Sequence, residues 1–154
     1  MKSKSVCFTG HRSLAPELVP SIREKLRETI EEHIKKGFTD FYNGGARGFD
    51  LLAAEEVIAL KADYPHIRLH IVVPCNGQTR GWNDADIVRY ENVSALADEI
   101  KILSPFYFNG CMQIRNRYMV DNSSVCIAYV TEQRGGSAGT AKYAEKQGLE
   151  VIYL

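Results

Sequence analysis

Short apolar runs alternate along this chain with longer stretches in which apolar residues recur every three or four positions. Ser5 to Thr9 reads as a short buried strand that stops at Gly10. Leu18, Ile22, Leu26 and Ile30 then recur at four-residue steps, and Ile34 continues the stripe. This spacing predicts a helix over Pro16 to Lys36 with charges on its outer face and Gly37 as its stop. Phe38 to Tyr42 predicts a second strand, and Phe49 to Lys61 a helix with Leu51, Ala54 and Ile58 on one face. Ile67 to Val73 predicts a third strand, ended by Pro74. Asp84 to Ala97 reads as a helix, Glu99 to Leu103 as a strand, Met112 to Asp121 as a helix and Val125 to Val130 as a strand. A last helix over Ala138 to Lys146 gives way to the strand Glu150 to Tyr153.

Strands and helices alternate throughout, and the fifth strand is apolar on both faces. That pattern predicts an α/β chain: a single-domain, three-layer α/β/α, Rossmann-like fold with a mostly parallel sheet. At 154 residues the chain has the size of one ordinary domain, spanning 1–154, with a core that needs no staples. Ligands on such sheets bind beyond the carboxyl ends of the strands, where the strand order reverses.

The loops that leave those ends carry the candidate chemistry. After the first strand come Thr9-Gly10-His11-Arg12, and after the second Asn43-Gly44-Gly45-Ala46-Arg47-Gly48. After the fifth comes Arg134-Gly135-Gly136-Ser137-Ala138-Gly139-Thr140. In this last stretch a glycine-rich turn opens a helix, which presents bare N–H groups and the positive end of the helix dipole to an anion. Two glycine turns and three arginines, Arg12, Arg47 and Arg134, would together make a phosphate cradle. Neither turn matches G-x-G-x-x-G or G-x-x-x-x-G-K-[ST], so a dinucleotide enzyme of that type and a P-loop NTPase are both disfavoured.

Several side chains admit two readings. Arg115, flanked at helical spacing by Met112 and Met119, is either a ligand clamp or a snorkelling partner of a carboxylate; Arg117 shares that ambiguity. Asp50, at the start of the second long helix, caps that helix, accepts a ribose hydroxyl or acts as an acid/base. His11 is a general base or an ordinary hydrogen-bonding residue. Trp82 and Tyr90, eight apart, pack in the core or stack a base. His33, His66 and His70 lack partners at metal-ligand spacing and read as surface or sheet residues.

Nineteen basic residues balance nineteen acidic ones. Non-specific attraction to nucleic acid or an anionic membrane therefore has no global support. The four cysteines form no C-x-x-C pair and no zinc pattern. With no signal-peptide or transmembrane-length run, a reduced, cytoplasmic protein is expected. No metal and no cofactor is implied.

The ordered set Thr9-Gly10-His11-Arg12, Gly44-Gly45-Ala46-Arg47-Gly48-x-Asp50, Met112-x-x-Arg115-x-x-x-Met119 and Gly135-Gly136-Ser137-Ala138-Gly139-Thr140 resembles the YpsA-type branch of the SLOG superfamily. That superfamily joins the DNA-processing protein Smf/DprA with the lonely-guy phosphoribohydrolases. The resemblance spans nearly the whole chain. It implies a Rossmann-like domain that binds nucleotides or nucleotide-derived ligands, and a homodimer, since the lonely-guy enzymes share sites across one; the charge balance and the lack of a transmembrane-length run argue against a membrane partner. In those enzymes an M-x-x-R helix and a P-G-G-x-G-T-x-E-E turn cleave the N-glycosidic bond of nucleoside monophosphates. The arginine corresponds to Arg115, and the turn to Gly135, Gly136, Gly139 and Thr140. The glutamate pair has no counterpart, since Ala141, Lys142 and Tyr143 follow Thr140 and the first acid is Glu145. Lys142 would add positive charge instead.

The expected function is therefore binding of a phosphate-bearing nucleotide ligand, as in a sensor, by Thr9, Gly10, His11, Arg12, Asn43, Gly44, Gly45, Arg47, Arg134, Gly135, Gly136, Ser137, Gly139 and Thr140. The alternative is an N-glycoside hydrolase of nucleotides with Asp50 and Arg115 as catalytic residues. A DNA-binding module ranks third, and nucleic acid is not the expected partner.

Overall fold

The computed structural model describes all 154 residues. Six parallel strands form one sheet in the order β4-β3-β2-β1-β5-β6. They are β1 (Ser5–Gly10), β2 (Asp40–Asn43), β3 (Arg68–Val73), β4 (Glu99–Ile102), β5 (Val125–Tyr129) and β6 (Glu150–Tyr153). The connecting helices are α1 (Val19–Lys35), α2 (Phe49–Leu60), α3 (Asp84–Leu96), α4 (Cys111–Asp121) and α5 (Gly136–Lys146). This is the three-layer, Rossmann-like arrangement that the alternation of periods predicts.

Alternate residues of each strand enter two separate cores. Val6 and Phe8 of β1 join Ile22, Leu26 and Ile30 of α1 and Leu51, Ala54 and Val57 of α2 in a cluster of 21 buried residues. Cys7 points the other way, into a cluster of 9 with Met119 and Val120 of α4 and Ala141 and Ala144 of α5. Cys7 and Cys126 are register partners across β1 and β5, and both are buried.

Two local readings change, at Leu18 and at His33, while Pro20 and His70 sit where the sequence suggests. Pro16–Leu18 is a separate 3-10 turn before α1, so Leu18 is left 46% exposed instead of continuing the buried stripe. Pro20 lies in the first turn of α1, where its missing N–H costs nothing. His33 is buried, its Nδ1 donating to the Thr29 carbonyl at 2.7 Å. His70 is buried in the sheet with Nε2 2.7 Å from Asp40 Oδ1 and Nδ1 2.9 Å from Glu99 Oε1.

The topology positions the site. β1 is followed to one side by β2, β3 and β4; the chain then crosses back through α4 to place β5 on the other side of β1. β1 and β5 stay paired to their carboxyl ends, but the chain leaves them for helices on opposite faces of the sheet, and a crevice opens between the loops that follow them.

Candidate functional site

A cleft of about 440 Å³ occupies that crevice. Thr9, Gly10, His11 and Arg12 line it from β1; Glu132, Arg134, Gly135, Gly136 and Ser137 line it from the β5–α5 connection. Ala46 and Asp50 approach from the β2–α2 side, and Arg115 and Asn116 from α4.

Helix α5 begins at Gly136, two residues before the expected start, with Gly135 as its N-cap and no side-chain cap. Gly139 N–H closes the first turn onto the Gly135 carbonyl at 3.0 Å. The amides of Gly136, Ser137 and Ala138 are thus the unpaired first-turn donors of the helix. Gly136 and Ser137 lie on the cleft, and Arg12 and Arg134 are exposed beside them. Gly139 and Thr140 line a neighbouring cavity instead, and the Thr140 hydroxyl donates to the Gly136 carbonyl at 2.8 Å.

His11 ties the two sides of the crevice. Its Nε2 accepts the Thr131 backbone N–H at 2.8 Å and lies 2.9 Å from the Thr131 hydroxyl; its Nδ1 lies 3.3 Å from Ser137 Oγ. A backbone N–H only donates, so Nε2 must hold the free lone pair and the neutral ring carries its proton on Nδ1. In this arrangement Nδ1 donates to Ser137 Oγ rather than taking its proton, so the pair is not set up as a nucleophile and its base. The ring is a clamp between the β1 and β5 loops.

The first glycine turn has a different role from the second. Asn43 is fully buried, with its amide donating to the Asp50 carbonyl at 2.8 Å and its Oδ1 accepting Gly45 N–H at 2.7 Å. Gly45 packs against Ile71, Tyr90 and Gln78. Gly44 makes room: a Cβ there would lie 2.8 Å from both Arg115 Nη1 and Asp50 Oδ2. Arg47 turns away, its guanidinium 5.4 Å from the centre of the Trp82 ring. Trp82 meets Tyr90 edge-on at 5.7 Å. The expected meeting of two glycine turns and three arginines is thus corrected. Arg12, Arg134 and the second turn line the cleft, while Asn43, Gly44 and Gly45 build the frame behind it and Arg47 stands apart. Lys142 also lies away from the cleft, donating to the Gln133 carbonyl at 3.3 Å, and Glu145 bonds the Tyr153 hydroxyl.

Asp50 and Arg115 form the floor. Arg115 is only 3% exposed. Its Nη1 donates to the carbonyls of Gly44 at 2.6 Å and Val72 at 3.2 Å and to Gln78 Oε1 at 3.1 Å; its Nε donates to Asn116 Oδ1 at 2.9 Å. Nη2 has only the Met112 sulfur at 3.7 Å, a weak acceptor. Asp50 is buried, with Oδ2 accepting the Ala46 N–H at 3.3 Å. Burial pushes its carboxyl from 3.8 up to about 6, against the pull of Arg115, the Ala46 N–H and Arg12. Sequence reasoning missed Gln78, Glu132 and Asn116. Nothing in the sequence marks Gln78, which fixes this floor from the β3–α3 loop by donating to the Gly44 and Gly45 carbonyls, each at 3.2 Å.

The raised carboxyl has a signed consequence. The fold holds the proton of Asp50 more tightly than the unfolded chain does, so the ionised group opposes folding. Its destabilising effect is absent below about 3.8, grows between 3.8 and about 6, and is complete above that. A carbon-detected NMR titration should place the Asp50 midpoint near 6; a midpoint near 4 would overturn this account of the floor.

Among known families, the model of the YspA SLOG family matches residues 6–152. The chain belongs to the YspA SLOG family. An uncharacterised SPbeta prophage-derived protein of Bacillus subtilis, YoqJ, is 32% identical over 141 residues, covering 83% of this chain and 82% of that protein. In fold, the chain is similar to DNA processing protein A of Streptococcus pneumoniae (TM-score 0.67, 17% identity), covering 98% of this chain and 50% of that one. It is likewise similar to DNA processing protein A of Helicobacter pylori, the subject of a structure of single-stranded DNA binding (TM-score 0.66, 20% identity). That match covers 99% of this chain and 65% of the other. The chain thus spans half to two-thirds of the length of these two proteins. No helix of this family member is long and apolar enough to cross a membrane.

Proposed function

We propose that this chain binds a nucleotide, or a nucleotide-derived phosphate ligand, in the cleft between the β1 and β5 loops. The observation that carries the reading is the first turn of α5. Its unpaired amides border a cleft walled by Arg12 and Arg134, with the buried Arg115 in its floor. Charge-assisted contacts from such donors to a phosphate are the strong kind. The reading includes a cytoplasmic setting for four unpaired, buried cysteines, and a homodimer. Nucleoside monophosphates and NAD should be screened by thermal shift. At least one should stabilise the chain, and Arg134→Ala should weaken it about tenfold, the loss of one charged hydrogen bond. No stabilisation by any phosphate ligand, together with no effect of Arg134→Ala, sinks the reading.

Asp50 supports a second reading, hydrolysis of a nucleotide N-glycosidic bond. A carboxyl near 6 at the cleft floor can give a proton to a departing base or take one from the attacking water. Chromatography for released base or nicotinamide tests it, with Asp50→Asn as the silent control. DNA binding, the theme of the Helicobacter relative, finds little support in a chain of zero net charge. Salt-sensitive retention on single-stranded DNA would restore it.

A further inference from the structure

A second cavity, about 400 Å³, lies between α4 and α5 and meets the phosphate cleft along Asn116, Gly135 and Gly136. We propose that this slot receives the base of the nucleotide whose phosphate occupies the cleft, an inference that rests on the phosphate-binding reading above.

The α4 wall offers two side-chain amides three residues apart, Gln113 and Asn116, on one face of the helix. Asn116 Oδ1 is committed to Arg115 Nε at 2.9 Å, which leaves its N–H groups to donate. Gln113 is exposed and offers both a donor and an acceptor. The outer end of the slot is a stacked pair, with the Arg117 guanidinium 5.2 Å from the centre of the Tyr143 ring. Tyr143 is held in place by its hydroxyl, which donates to Asp121 Oδ1 at 2.8 Å.

The α5 wall is mostly glycine backbone, at Gly135, Gly136 and Gly139, with Thr140 beside it, its hydroxyl tied to the Gly136 carbonyl. A Cβ at Gly136 or Gly139 would meet nothing within 4 Å, so packing does not demand glycine at either position. Gly139, at the end of the first turn of α5, nevertheless costs the helix up to about 1 kcal/mol relative to alanine. A nucleobase is flat and apolar on its faces, with donors and acceptors along its edge. A slot with one flat, glycine-rich wall, amides on the other and an aromatic ring at its end suits that shape and chemistry. A second phosphate suits it less, since its one cation, Arg117, already lies over an aromatic ring.

The test compares AMP, GMP, CMP and UMP with ribose 5-phosphate by calorimetry on the full chain. In the unmodified protein one or more of the nucleotides should bind at least about tenfold more tightly than ribose 5-phosphate, the worth of one stacked base. Gly139→Leu fills the slot with a better helix former, and Tyr143→Ala removes its end wall. Each should reduce that ratio to about one-third or less of its original value. If ribose 5-phosphate binds and no nucleotide binds more tightly, or if the ratio survives both variants, the slot proposal is wrong and the phosphate reading stands. If neither class of ligand binds, both fall.

Discussion

Arg115→Ala is expected to destabilise the fold by about 3–5 kcal/mol, the usual cost of breaking a buried charge network by removing one partner. At roughly 2–4 °C per kcal/mol for a chain of this size, thermal denaturation should fall by about 10 °C. The reason lies in what the guanidinium holds. One side chain on α4 satisfies the Gly44 carbonyl of the β2–α2 loop, the Val72 carbonyl of β3 and the Gln78 amide oxygen of the β3–α3 loop. Removing it takes a donor from all three acceptors around one buried position, leaving the Gly44 carbonyl with only Gln78 Nε2 at 3.2 Å, and takes away the cation that most strongly favours Asp50 in its ionised form. The carboxyl midpoint should then move above 6. Arg115→Lys keeps the charge but loses the fork, so it should recover part of the stability and less of the geometry. Calorimetric unfolding of the three proteins at pH 5 and pH 8 checks this, with the Ala variant losing more at pH 8, where Asp50 is charged. An Ala variant as stable as the parent at both values would refute the account of the floor.

Gly48→Ala should cost about 3 kcal/mol or more, combining a backbone strain of roughly 1–3 kcal/mol with a comparable packing penalty. Gly48 sits at the N-cap of α2 with φ +74 and ψ −119. A Cβ there would lie 2.5 Å from the carbonyl oxygens of both His11 and Arg12. Those carbonyls belong to the β1–α1 loop that forms one cleft wall, and His11 O also accepts Phe49 N–H at 3.0 Å. The added methyl must therefore push the wall outward or unwind the first turn of α2. Gly37 is the internal comparison. Its φ is +101, yet a Cβ there meets nothing within 4 Å. Gly37→Ala should carry the strain alone and cost about 1–2 kcal/mol. Denaturant midpoints of the two variants separate clash from strain; equal losses would show that the close approach at Gly48 is not what matters.

How much of this was legible in the sequence depends on the kind of signal. The helix α1 announced itself through Ile22, Leu26 and Ile30 because its buried face is a single stripe against one layer. The glycine turn before α5 was legible because strand, turn and helix are contiguous in the chain. Its exact start was not, since Gly136 and Ser137 are weak helix formers that enter α5 to present their amides. Asn43, Gly44 and Gly45 looked like a second cradle because glycine says only that a backbone is close to something. Here that something is Arg115, 71 residues away from Gly44. The placement of Arg47 is hidden for a similar reason, since its partner Trp82 lies in another loop and cation–ring contacts leave no periodic trace. Gln78 and Glu132 carried no sequence signal at all. The raised carboxyl of Asp50 arises from burial, which only the assembled floor creates.

The two faces of the sheet are unequally covered, 21 buried residues against 9. The thinner layer is the one that carries Arg115, Asn116 and the first turn of α5. Fewer apolar contacts mean a smaller free energy for local opening. The α4–α5 layer is therefore expected to open before the α1–α2 layer, which earlier hydrogen exchange of the amide protons beneath it would show. A ligand bridging the β1 loop and the first turn of α5 would fasten the layer that is least well fastened by the fold itself.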